Sequence, residues 1–152
     1  MTADASEDRP QSLRFVGNDD VELETQVTGL HHWLSKPGLT EAEQLVLCRV
    51  YMPPGEGHQF HRHPALEEII YVLRGTAEQW VGEERRLLTA GEMAHIPTDL
   101  IHATYNGGED TLEFLAILSP ARYDGPFAID VFEEEPWRSL RAPLVRPEPP
   151  QV

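Results

Sequence analysis

The chain has 152 residues, room for one domain and a single core but not for two. Its 12 basic against 26 acidic residues leave a formal charge of −14, a surface that repels phosphate backbones and argues against nucleic-acid partners. One cysteine, Cys48, excludes an internal disulfide framework, and no apolar run of about 18 residues could cross a bilayer, so a cytoplasmic protein without a membrane partner is expected.

The opening "MTADASEDRPQSLRF" is acidic and has no apolar stretch, unlike a secretory signal. The first 25 residues hold seven acids against two bases, and from Pro126 onward the chain carries six of its thirteen prolines. These shifts divide it into an arm (1–25), a globular body (26–122) and a Pro-rich acidic extension (123–152). In chain order, "VELETQVTG" and "HHWLS" are candidate strands, and "LTEAEQ" a candidate helical turn, since Thr40 and Glu43 match a capping box. "QLVLCRVYM" alternates as a strand and ends at "PPGEG"; in it Cys48 reads as a plain buried thiol. "EIIYVL" stops at Gly75, "TAEQWV" and "RRLL" flank the hairpin turn "GEE", and "MAHIP" and "TLEFLAIL" follow. "PFAIDVFEEEPWRSL" supplies an outer strand and a short helix. Many short strands with turns between them make an all-β sandwich or small barrel.

"GEGHQFHRHPALEE", residues 55–68, is unusual in holding three histidines and three glutamates. On a strand His61 and His63 share a face, and Glu68 follows after "PALE" has turned the chain back, so a neighbouring strand offers its carboxylate to the same point. Imidazole nitrogen with carboxylate oxygen suits one divalent transition metal: Fe, Mn, Ni, Cu, Co or Zn. His102, after a proline turn in "GEMAHIPTDLIHATYN", stands on a separate strand.

At these residues the sequence resembles the cupins. Their first motif, G-x5-HxH-x(3,4)-E-x6-G, is filled by Gly55, His61, His63, Glu68 and Gly75. Their second, G-x5-PxG-x2-H-x3-N, is filled by Gly91, Pro97, His102 and Asn106, with Asp99 in place of the usual glycine. Asp tolerates the left-handed conformation better than most residues, so the turn is expected to survive. The resemblance implies an antiparallel jelly-roll β-barrel, with His61, His63, Glu68 and His102 as metal ligands and Glu68 as a base that loosens from the metal.

Around that centre, Gln59 shares the face of His61 and His63 and is a candidate ligand contact. Val46, Val50, Met52, Ile70 and Val72 are expected to line an apolar pocket. His95 is counted with the pocket as a donor to a bound ligand, although a surface position is the preferred alternative. His58 reads as a loop histidine facing away, Glu67 as a solvated acid, and His31, His32 and Trp33 as packing residues of the arm. Phe60, Tyr51 and Tyr71 point outward, to be covered by a partner subunit or by the arms, and a homodimer is expected. The function that follows is a metal-dependent oxygenase, lyase or isomerase acting on a small, chelating, partly hydrophobic molecule. The alternatives are a non-catalytic ligand binder and a scaffold.

Overall fold

The computed structural model describes residues 12–146. Eleven strands follow in order: β1 (Glu22–Gln26), β2 (Gly29–Ser35), β3 (Val46–Met52), β4 (Gly57–Arg62), β5 (Glu67–Arg74), β6 (Ala77–Val81), β7 (Glu84–Leu88), β8 (Met93–Ile96), β9 (His102–Asn106), β10 (Leu112–Ser119) and β11 (Ile129–Asp130), then one helical turn, α1 (Trp137–Leu140). They pair antiparallel in two sheets, β1-β2-β3-β10-β5-β8 and β11-β4-β9-β6-β7. The all-β, jelly-roll expectation is met.

The alternation read in "VLCRVYM" and "LEFLAILS" appears directly as strict burial of every second residue in β3 and β10. Those two strands and β5 lie side by side. Val50, Met52, Ile70, Val72, Leu112 and Phe114 fill the space between the sheets with at most 2% exposure each. The signature glycines Gly55, Gly75 and Gly91 turn with φ of 80°, 84° and 89°, a region closed to most side chains.

The candidate helix at "LTEAEQ" is absent. Thr40 instead makes isolated β-bridges with Leu13 and Pro37, and its hydroxyl binds Ser35 Oγ and the Lys36 carbonyl rather than capping. These tertiary contacts outweigh a weak local signal.

A second apolar cluster lies on the other face of the five-stranded sheet: Phe60, Trp80, Ala103, Tyr105 and Val131, with Trp137 and Leu144 packed on it. The Phe60 ring lies 5.4 Å from that of Trp80 and 5.0 Å from that of Trp137. The expected cover over this outward aromatic is therefore the chain's own C-terminal segment. Arg141 fastens it from above, 4.1 Å over the Tyr105 ring and 3.0 Å from Glu78. Tyr71 on the six-stranded sheet stays 37% exposed beside Met93, its register partner. Of the N-terminal arm, residues 1–11 lie outside the described residues, and its end pairs as β1 with β2 of the same chain.

Candidate metal centre

β4 and the residue just beyond it carry His61 and His63 on one side of the strand. His102 opens β9 directly across from His61 in the register. Glu68 stands on β5, which belongs to the other sheet. The "PALE" connection thus crosses the sandwich, and the carboxylate approaches from the facing layer rather than from a neighbouring strand. One ligand atom from each of the four residues lies within 4.8 Å of every other.

The other ring nitrogens show how the imidazoles are set. Nδ1–H of His61 donates to the Gln59 carbonyl (2.6 Å), that of His63 to Phe127 (2.8 Å) and that of His102 to Leu100 (2.8 Å). With the proton on Nδ1, each Nε2 turns a lone pair inward. His63 Nε2 is 3.1 Å and His102 Nε2 2.9 Å from Glu68 Oε2, acceptor facing acceptor. Glu68 Oε2 and His102 Nε2 are buried without a hydrogen-bond partner. Electron-pair donors converging with no proton between them need a cation, and nitrogen with carboxylate oxygen suits a divalent transition ion.

The electrostatics agree. Burial pushes His61 well below its usual range, and the imidazoles of His102 and His63 add to the push. Burial alone would raise the Glu68 carboxyl, but the His102 and His63 rings it touches outweigh burial and hold it far below the usual carboxylate range. Burial disfavours charge on His63 as well, yet contact with Glu68 turns its shift upward. Without an ion, Glu68 thus stays an anion and His61 a neutral donor, and a proton on His63 would take the place of the cation.

The signature residues around the cluster hold its loops. Asp99 adopts φ 65°, the only positive φ of a non-glycine residue among those described, as the left-handed reading of that position requires. Its N–H bonds the His63 carbonyl (3.0 Å) and its carboxylate the Arg62 guanidinium (2.7 Å). Asn106 donates to the carbonyls of Met52 and Asp110 and accepts from Gly108 N–H, pinning the turn after β9.

The cluster opens into a cavity of about 460 Å³. Val50 and Gln59 line it. Met52, Ile70, Val46 and Val72 do not: they face inward but sit in the packed core, because the cavity takes up only part of the interior. His95 points outward and pairs with Glu67 at 2.9 Å, both half exposed.

Several cavity residues escaped the sequence reading. His58 faces inward, its Nε2 3.1 Å from His31 Nε2, with the rings stacked 5.1 Å apart. The ladder between His58 and His61 is irregular, which frees His58 from strict alternation. Burial and the neighbouring His31 push His58 down to about 3, and burial lowers His31. Trp33 and Cys48, register partners on β2 and β3, form part of the wall. Burial pushes the Cys48 thiol up to about 12, so it stays protonated. Pairing of β2 with β3 was the missing signal: Gly29, His31 and Trp33 share a face once that pairing is known.

Comparison with known proteins follows the same lines. The family model described as Cupin domain matches residues 48–118. The chain is 27% identical to the oxalate-binding protein of Thermotoga maritima, over 78% of this chain and 93% of that protein. It is 28% identical to mannose-1-phosphate guanylyltransferase 2 of Escherichia coli O157:H7 over 57% of this chain, but spans only 18% of that protein's length. The structure of the polyketide cyclase RemF from Streptomyces resistomycificus superposes with a TM-score of 0.66 at 24% identity, covering 83% of this chain and 91% of that one. With both signature motifs in place, two facing antiparallel sheets and this family match, residues 48–118 form a cupin domain.

Proposed function

We propose that this cupin is a metal-dependent enzyme acting on a small organic molecule that chelates through a pair of oxygens, in an oxygenase, lyase or isomerase reaction. The observation that carries the reading is the convergence of Glu68 with three imidazoles of fixed tautomer, with Glu68, His61 and His63 on the wall of a cavity of about 460 Å³. His61, His63, Glu68 and His102 would hold the ion. When bound, a divalent metal with four protein ligands supplies Lewis acidity and an open position for substrate oxygens. Val50, Trp33, Leu118, Phe127 and Phe132 give the substrate an apolar bed and exclude water. Glu68, the anion of the cluster, would accept a proton from the carbon beside the chelated carbonyl once it loosens from the contacts that hold its basicity down, the electron pair staying on the substrate.

A second reading, ligand capture without chemistry, draws on the likeness to an oxalate-binding protein across nearly its whole length. The cavity's size and apolar walls speak for a larger ligand than a two-carbon diacid. Elemental analysis of untagged protein tests the reading first. About one transition ion per chain is expected, lost in His61→Ala/His102→Ala. Protein that neither carries a metal nor takes one up on reconstitution rejects it. Oxygen uptake and product formation with chelating carbonyl substrates then separate enzyme from binder.

A further inference from the structure

The cavity has two chemically different ends. At one, Asp130 pairs in register with His61 and Glu68 lies against His63 and His102, with Leu118 beside it, so carboxylates gather beside the imidazoles. The other end is built on the start of β4. His58 lies against Phe114, ring centroids 5.9 Å apart, three residues and at most about 10 Å of strand from His61. Here the C-terminal segment returns to the sheet: Leu144 N–H donates to Gln59 Oε1 (2.8 Å), and the Arg146 guanidinium reaches the Gly57 carbonyl (3.4 Å) and Glu56 Oε2 (3.5 Å).

Three side chains at this end have hydrogen-bonding capacity left over. Gln59 has its oxygen committed to Leu144, which leaves the amide NH2 to donate. His58 shares Nε2 with His31, which leaves Nδ1 for the cavity. Arg146 is the only lysine or arginine on the cavity wall among the described residues, and its Nε is buried without a partner. A guanidinium with unused N–H groups beside an amide donor and an imidazole is suited to a carboxylate. Between the two ends the wall is Trp33, Cys48 and Ala116, in register with one another and with no charge.

We propose that His58, Gln59 and Arg146 form a second polar subsite, so that the substrate is bifunctional: a chelating oxygen pair at one end, a carboxylate or comparable anionic oxygen group at the other, and an aromatic or apolar middle. His31 acts through His58 as a positioning residue. Only the chelating end rests on the metal-dependent reading above; the subsite stands on its own contacts.

Two probes that differ at the distal end alone test it: 4-methylcatechol, with the oxygen pair only, and 3,4-dihydroxyphenylacetate, which adds a carboxylate. Calorimetric titration of the metal-loaded protein is expected to show the second binding at least about tenfold tighter, the worth of one charge-assisted pair. Arg146→Met and His58→Leu are each expected to reduce that ratio to about threefold or less while leaving 4-methylcatechol affinity within about twofold. If Arg146 only clamped the C-terminal segment, its loss would move both probes together or neither. A ratio near one in the wild type, or a ratio that survives both variants, overturns the subsite. Phenylacetate titrated onto metal-free protein keeps the two readings apart. Binding that Arg146→Met abolishes supports the subsite even in a chain that takes up no metal, and no binding of any of the three compounds overturns both.

Discussion

Loading the metal should stabilise the fold by an amount that the buried acceptors set. Without a cation, Glu68 Oε2 and His102 Nε2 are buried with no partner, and each such group costs about 1–3 kcal/mol. An ion at a thousandfold excess over its Kd adds about 4 kcal/mol by mass action, within the range that relief of two orphaned groups implies. A domain of this length moves about 2–4 °C per kcal/mol, so the melting temperature should rise about 8–16 °C between chelated and metal-loaded protein. Differential scanning fluorimetry, with the chelator removed before each ion is added, measures it. In His61→Ala/His102→Ala two of four donors are gone and the rise should fall below about 3 °C. The donor-set argument fails if the wild type shows no rise, or if the double variant rises as far, since the ion would then be binding elsewhere.

Acid should destabilise the metal-free protein through its buried neutral histidines. His58 is held at about 3 against 6.5 when unfolded, so below pH 6.5 the unfolded chain takes up a proton that the native state refuses. Its share of stability is intact above 6.5 and declines as pH falls, by about 1.4 kcal/mol at about pH 5.5. Urea unfolding at about pH 8 and about pH 5.5 should show a smaller acid penalty in His58→Leu by that amount, and an unchanged penalty would refute the assignment. At Asp99, the left-handed turn and the exposed Arg62 pair offset one another. Asp99→Gly should stay within about 1 kcal/mol of wild type, whereas Asp99→Val should lose about 1–2 kcal/mol in the same assay. A large loss in the glycine variant would mean that the ion pair, not the backbone, governs this turn.

The legible parts of this chain were those whose spacing is local. Strict alternation placed Val50 and Cys48 on an inward face, and the interval from His61 to His63 put two imidazoles on one side of β4. The motif spacing carried the step to Glu68 and His102 without any view of the sheets. What stayed hidden depends on contacts far apart in the chain. That "PALE" crosses between sheets is a fact of topology, and the irregular ladder that turns His58 inward leaves no mark in composition. Met52 and Ile70 were read correctly as inward, but alternation says only which face a residue takes, not whether a cavity or a packed core lies there. Leu144 and Arg146 reach β4 across more than eighty residues, beyond any local pattern.

The hydrogen bond from His63 to the Phe127 carbonyl joins the C-terminal segment to the metal cluster, and the Phe127 ring also rests 4.7 Å from the imidazole. Phe127 is itself 40% exposed, on a stretch that owes nothing to the two signature motifs. A carbonyl in this position makes the opposite ring nitrogen more electron-rich. Relatives that keep all four donors and both motifs can therefore diverge in ion preference and reactivity through drift in a surface segment alone, a tuning screw that inheritance can turn without touching the centre it adjusts.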